Sequence, residues 1–181
     1  MERCRMVFSG SGGQGVITAS IILAEAAVLY ENLNAVQTQA YGPESRGGAT
    51  RADIIISDAP IYYPKVDQPN LAVCLTQMAY NKFSHTIRPG GLLLTDPHYV
   101  RQDPRVDARE VELEMYATAV NKIGNPVVFN ICMLGALIGL TGFIRAESIA
   151  SVLERRVPAE FLDMNRLALH AGLGMVTKTV R

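Results

Sequence analysis

Arg3-Cys4-Arg5-Met6-Val7-Phe8-Ser9-Gly10-Ser11-Gly12-Gly13-Gln14-Gly15-Val16-Ile17 carries an apolar strand into a glycine turn and then into a helix. The strand is predicted over about 3–8. The helix follows directly, with Val16, Ile17, Ile21, Leu23, Ala24, Ala27 and Val28 forming a wide apolar face. Gly10, Gly12 and Gly15 satisfy the GxGxxG spacing, with Gly13 and Gln14 inside the turn. Glycine at these positions lets backbone N–H groups approach an anion, and the N-terminus of the next helix adds partial positive charge. The same turn could equally serve to pack the helix closely on the strand, and the spacing by itself leaves both uses open.

Working outward, further strands are predicted near Ala35–Gln39, Ala52–Ser57, Leu71–Leu75 and Leu92–Thr95. Their continuous apolar runs suit strands buried on both faces. Helices are predicted over Gln77–Ile87, closed by Pro89-Gly90-Gly91, and over Met115–Ile123, closed by Gly124. Alternation of this kind implies a three-layer, Rossmann-like α/β fold: a mainly parallel sheet with helices on both faces, in a single domain spanning 1–181. The polar piece Tyr99–Arg109 reads as a surface excursion.

Val127–Ile144 contains no charged residue, but Asn130, Thr141 and glycines 135, 139 and 142 interrupt it. It barely reaches the ~20 predominantly apolar residues of a membrane span and is expected to be a buried helix. Its Gly135/Gly139 pair admits a close backbone neighbour, and burial at a subunit interface is the preferred expectation. Two helices, Ala146–Val157 and Ala159 to about Leu173, complete the chain, with Gly172 and Gly174 expected to loosen the second.

Seventeen basic and seventeen acidic residues give a formal net charge of zero, which argues against nucleic acid or an anionic membrane as the main partner. The chain opens without an apolar signal segment, so a cytoplasmic location is expected. Cys4, Cys74 and Cys132 lie far apart, lack CxxC spacing and read as buried thiols rather than cluster or zinc ligands. His85, His98 and His170 show no spacing that suggests a metal or a triad and are expected on the surface. Asp96-Pro97 and Asp103-Pro104 mark turns. Asn130 stands near the head of the apolar helix, where a structural hydrogen bond is favoured over a polar group aimed into an interface.

A nicotinamide site would want an acidic residue at the end of the second strand, about 20 residues on. Ala35-Val36-Gln37-Thr38-Gln39-Ala40 offers none, which weakens that reading. Tyr41-Gly42-Pro43-Glu44-Ser45-Arg46-Gly47-Gly48 follows, just beyond the end of the second strand, where open α/β sheets bind ligands. Arg46 offers a planar fork for a carboxylate or phosphate, and Gly47-Gly48 permits close backbone approach. The competing reading is a surface turn in which Glu44, Arg46 and Arg51 pair, with Ser45 a turn residue rather than a nucleophile.

The glycine turn, the run Gln37–Gly48, Asn130-Ile131-Cys132-Met133-Leu134-Gly135-Ala136-Leu137, Asp58–Val66 and Arg88-Pro89-Gly90-Gly91 together resemble the gamma subunit of the 2-oxoacid:ferredoxin oxidoreductases. The resemblance covers nearly the whole chain and is most like the 2-oxoglutarate type, with the branched-chain 2-oxoacid and indolepyruvate types close behind. It implies an assembly that decarboxylates a 2-oxo acid on thiamine diphosphate with Mg, passes electrons through iron–sulfur clusters to ferredoxin, and releases an acyl-CoA. No cofactor is expected on this chain alone. Companion alpha, beta and ferredoxin-like delta subunits would carry them, with coenzyme A as co-substrate. The resemblance places Gly10, Gly12, Gly13, Gln14 and Gly15, with Tyr41, Glu44, Ser45, Arg46, Gly47 and Gly48, at the shared coenzyme A and active-site region. The alternative is a stand-alone nucleotide-binding module without redox activity.

Overall fold

Alternation along the first strand, β1 (Cys4–Gly10), sends Met6 and Phe8 to one face of a sheet and Val7 to the other, all three buried. The computed structural model describes residues 3–40 and 49–179. Within these, five more strands join β1: β2 (Asn34–Ala40), β3 (Thr50–Ser57), β4 (Leu71–Cys74), β5 (Gly91–Thr95) and β6 (Ala108–Glu112). They form one six-stranded sheet in the order β2-β3-β1-β4-β5-β6. β1, β4, β5 and β6 are mutually parallel, whereas β3 runs antiparallel to both β1 and β2. The sheet is therefore mainly parallel, as expected, with β3 alone reversed.

The two faces are unequally covered. Met6, Phe8, Ile54, Ile56, Leu71, Val73 and Leu94 meet four helices: α1 (Val16–Tyr30) and, after the short α2 (Gln77–Phe83) and α3 (Met115–Thr118), α4 (Phe129–Thr141), α5 (Ala146–Arg156) and α6 (Ala159–Thr179). The opposite face, with Val7, Ile55, Ala72, Cys74 and Leu93, is covered by Ala79, Tyr80 and Phe83 of α2 and by Val66, Val100 and Val106. Both faces of the central strands are apolar, which is why their sequences read as continuous runs.

Several expectations need correction. The excursion after Tyr99 ends in β6, a sixth strand along an edge. Arg109, Glu110 and Glu112 make it too polar to resemble its buried neighbours, as suits an edge. The helix expected over 115–123 is one turn of α-helix continued by a π-helical turn at Ala119–Ile123 and stopped by Gly124 at φ 81°. The apolar run begins with a 3₁₀ turn at Pro126–Val128, capped by Asn125 Oδ1, which accepts from Val127 N at 3.0 Å. It then becomes α4 and ends at Gly142 with φ 66°.

The Gly135/Gly139 pair, expected to admit a neighbouring subunit, instead faces a helix of its own chain, with Gly135 buried and Gly139 partly so. A Cβ on Gly135 would lie 2.2 Å from Leu169 O, and one on Gly139 would lie 3.1 Å from the Val176 side chain, so both glycines seat α6. Gly172 does the reverse: a Cβ there would lie 2.0 Å from Cys132 O of α4. It does not loosen α6, which runs on to Thr179. The apolar helix thus finds its cover in its own chain, and its hydrophobicity gives no support to a missing partner. Among the described residues no helix is long and apolar enough to cross a membrane.

Candidate functional site

Gly10 is the last residue of β1, and Gly15, at φ 69° and ψ 19°, is the left-handed N-cap of α1. A left-handed N-cap favours glycine because an L side chain there meets its own backbone. Among the described residues α1 has no side-chain cap and no acid in its first turn, so its leading N–H groups are left for other acceptors. Gly15 O accepts from Ala19 N at 2.9 Å.

The glycines divide into two kinds. A Cβ on Gly10 would lie 2.4 Å from Gln14 Oε1, and one on Gly15 would lie 2.5 Å from Asn130 Nδ2, so these two are required by packing. Gly12 and Gly13 have nothing within 4 Å of a Cβ, and both are exposed. Packing does not demand glycine at either. What their bareness provides is open backbone, with Gly13 additionally at φ 89°. The packing reading of the turn therefore applies to Gly10 and Gly15 and not to Gly12 and Gly13.

Gln14 closes the turn. Its Oε1 accepts from Ser11 N at 2.7 Å, and its Nε2 donates to Leu75 O at 3.0 Å, just past the end of β4. Asn130, in the first turn of α4, supports it from below by donating from Nδ2 to Gly15 O at 3.3 Å. The structural role expected of Asn130 is the one it performs. In front of the turn lies a recess of about 310 Å³ whose lining includes Ser11, Gly12, Gly13, Gly15, Thr18 and Thr50.

Thr50 enters this recess because of the sheet register. Gly10 of β1 lies opposite Thr50 of β3, and Ala40 of β2 lies opposite Arg51. The described residues on either side of 41–48 therefore stand at the same sheet edge as the glycine turn. Tyr41, Glu44, Ser45, Arg46, Gly47 and Gly48 themselves lie outside the described residues. Arg51, one member of the alternative surface ion-pair reading, is paired with Asp53 at 2.5 Å, donates to Val66 O at 2.9 Å and stacks over Phe83.

The same edge carries residues that sequence reasoning missed. His98 stacks on Tyr116 with ring centroids 4.4 Å apart, and Tyr99 and Phe129 join them to form an aromatic wall. His98 is exposed as expected but is held by its neighbours. Burial raises the pKa of the Tyr99 hydroxyl, Tyr116 adds to this, and a hydrogen bond with Gln14 opposes it. The wall thus touches the glycine turn through Gln14. Asp96, buried just past the end of β5, accepts from His98 N at 2.9 Å and from Tyr116 N at 2.7 Å. Burial raises its pKa while these N–H groups pull the other way. Its geometry makes it a brace for the wall. These aromatics are scattered over some thirty residues with no spacing of their own, so only the fold brings them together.

The thiols lie away from such chemistry. Burial pushes Cys74 and Cys132 up to about 12, while Cys4 is partly exposed rather than buried. Among the described residues no three His, Cys, Asp or Glu side chains converge as a metal site. β2 lacks an acid, and β3 lies between it and β1, which moves the end of β2 a further ~4.8 Å from the glycine turn. Among the described residues, a ribose contact of the nicotinamide type has neither an acid at the end of β2 nor a β2 beside β1 to place it.

The pyruvate ferredoxin/flavodoxin oxidoreductase family model matches residues 5–175. The 2-oxoglutarate synthase subunit KorC of Methanocaldococcus jannaschii is 45% identical over 166 residues, covering 91% of this chain and 89% of that one. The KorC subunit of Methanothermobacter marburgensis is 39% identical, covering 93% and 94%. Among solved structures, the keto/oxoacid ferredoxin oxidoreductase gamma subunit of Geobacter sulfurreducens superposes with a TM-score of 0.90 at 38% identity, covering 98% of both chains. A 2-oxoglutarate:ferredoxin oxidoreductase from Magnetococcus marinus, solved with 2-oxoglutarate, coenzyme A and succinyl-CoA bound, contains the same fold. Its TM-score is 0.87 at 20% identity, and the match covers 98% of this chain and 32% of that one.

Proposed function

The chain belongs to the pyruvate ferredoxin/flavodoxin oxidoreductase family as a gamma-type subunit, and from that premise we propose that it serves a cytoplasmic complex oxidising 2-oxoglutarate. The overall reaction consumes 2-oxoglutarate, coenzyme A and two oxidised ferredoxins. It yields succinyl-CoA, carbon dioxide, one proton and two reduced ferredoxins, each carrying one electron. Thiamine diphosphate with Mg and the iron–sulfur clusters reside on companion alpha, beta and delta subunits. When bound there, they supply the carbanion chemistry and the electron path. This chain acts as one domain, and its task is to bind and orient.

Its contribution is the anion-holding side of the coenzyme A site. The observation that carries this is the exposed Gly12-Gly13 backbone in front of the uncapped start of α1, opening onto the recess that Thr50 shares. A pyrophosphate there would accept from backbone N–H groups and complement the positive end of the helix. Gln14 and Asn130 hold the turn so that no ordering is needed when the ligand arrives. Arg46, with Tyr41, Glu44, Ser45, Gly47 and Gly48, would face the shared active-site region, where its guanidinium would take a coenzyme A phosphate.

Anaerobic purification of the native complex, followed by viologen reduction with a panel of 2-oxo acids with and without coenzyme A, tests this reading. Coenzyme A-dependent reduction peaking with 2-oxoglutarate is expected. A peak with a branched-chain 2-oxo acid or indolepyruvate would overturn the substrate while retaining the family. A colourless single chain that binds an adenine nucleotide tightly, with no such activity, would make it a nucleotide-binding module.

A further inference from the structure

The end of the sheet opposite the glycine turn carries a second recess, of about 510 Å³, lined by Arg5, Tyr63, Lys65, Asp67, Gln68 and Arg88. Arg5 and Lys65 thus share the recess with one carboxylate, Asp67, among the described residues, on a chain whose formal net charge is zero. The excess is local. Arg5 lies near the start of β1, Arg88 just before β5, and Lys65 in the connection from β3 to β4.

The scaffold beneath is closely built. Arg5 N donates to Asn70 Oδ1 at 2.9 Å, Arg5 O accepts from Asn70 N at 2.8 Å, and Arg88 N donates to Pro69 O at 3.1 Å. Gly91 lets the 88–91 turn press on this segment, since a Cβ there would lie 2.9 Å from Asn70 O. The connection is pinned from both sides: Arg3 Nη2 donates to Pro60 O at 3.0 Å, and Val66 is 3% exposed with its carbonyl held by Arg51. Beside the recess, Tyr62 and Tyr63 stand 88% and 56% exposed between Pro60 and Pro64.

Resting on the subunit reading above, we propose that this surface docks an acidic segment of a companion subunit, whose carboxylates meet Arg5 and Lys65 and whose apolar atoms cover Tyr62 and Tyr63. A compact free anion is a poorer occupant. None of the residues lining the recess lies in the first turn of a helix, so no helix N-terminus supplies N–H groups to it. Long side chains on the rim would have to be ordered for a small ligand, at a cost in entropy. Adjacent exposed tyrosines beside arginine are the composition of a protein interface, and an excess of one charge sign steers and selects a partner of the other.

The test uses the assembled complex. Wild-type chain and an Arg5→Glu/Lys65→Glu variant, carrying different tags, are co-expressed at equal dose with the companion subunits, and their shares in the purified complex are measured. The variant is expected to occupy at least tenfold fewer complexes, and Tyr62→Ser/Tyr63→Ser to be depleted in the same direction. Thermal melting of each free chain guards against misfolding. Independently of any variant, carbodiimide treatment of the wild-type complex is expected to join Lys65 to an Asp or Glu of a companion, identified by mass spectrometry.

Equal shares in the complex, or Lys65 acetylated as fast in the complex as in the free chain, would overturn the docking assignment. So would binding of inorganic pyrophosphate by the free wild-type chain that the charge variant loses while assembling normally, which would make the recess a small-anion site. A wild-type chain that joins no companion at all would instead overturn the subunit reading on which the assignment rests.

Discussion

Gly15→Ala tests whether the glycine turn is held as described. An alanine at φ 69° enters the left-handed region at a cost of about 1–2 kcal/mol. Its Cβ would also lie 2.5 Å from Asn130 Nδ2, 2.8 Å from Cγ and 3.0 Å from Cβ. Swinging the Asn130 side chain about its Cα–Cβ bond relieves the first two contacts but surrenders its hydrogen bond to Gly15 O, worth about 1 kcal/mol. The last contact belongs to an atom fixed to α4, so the helix must yield by a few tenths of an ångström. Together these come to about 3 kcal/mol, or a fall in Tm of about 6–12 °C for a domain of this size. With Asn130→Ala already in place the amide is gone, and the same substitution should cost about 1 kcal/mol less. Urea unfolding of the four chains of this double-mutant cycle measures both quantities. A Gly15→Ala chain within 0.5 kcal/mol of wild type, or a cycle with no coupling, would refute the reasoning.

Three further outcomes are expected. Gly172→Ala, whose Cβ would meet Cys132 O at 2.0 Å, should destabilise by about 2–3 kcal/mol. Gly174→Ala two residues on, with nothing within 4 Å, should stabilise by up to ~1 kcal/mol, as thermal denaturation would register. At Glu31, burial works to raise the carboxyl pKa, but hydrogen bonds from Ser148 Oγ at 2.5 Å and from the Arg145 backbone and guanidinium outweigh it, so the folded-state pKa is lowered. Its contribution to stability is present above the unfolded carboxylate value of about 4.3 and is lost as pH falls through the lowered folded value. Glu31→Gln should therefore cost about 1 kcal/mol at pH 7, and the difference should vanish toward pH 2 in urea melts.

What could be read from the sequence was what local chemistry decides. The β1–turn–α1 unit, the apolar strands and the stop at Gly124 follow from periodicity and from backbone positions that favour glycine. The sixth strand was hidden because Arg109, Glu110 and Glu112 lie on a half-solvated edge, where alternation of apolar and polar residues is not enforced. Gly172 was misread because a helical glycine looks like a weakness until the carbonyl it accommodates, on a helix forty residues earlier, is in view.

The candidate site divides in the same way. The turn is local and was found, with Gln14 inside it. Thr50 joins it through the pairing of β1 with the reversed β3, and the aromatic wall through the approach of residues 98, 99, 116 and 129. Such long-range pairings leave no spacing in a single chain.

The central claim is that this subunit holds the coenzyme A side of a shared site, and apparent affinities in the assembled enzyme test it most directly. Complexes containing wild-type or Arg46→Ala chain would be assayed for viologen reduction while coenzyme A and 2-oxoglutarate are varied in turn. Loss of a charge-assisted fork of about 1.5–3 kcal/mol should raise the apparent KM for coenzyme A by about tenfold or more, while the complex still assembles. Unchanged apparent KM values for both coenzyme A and 2-oxoglutarate would contradict the account.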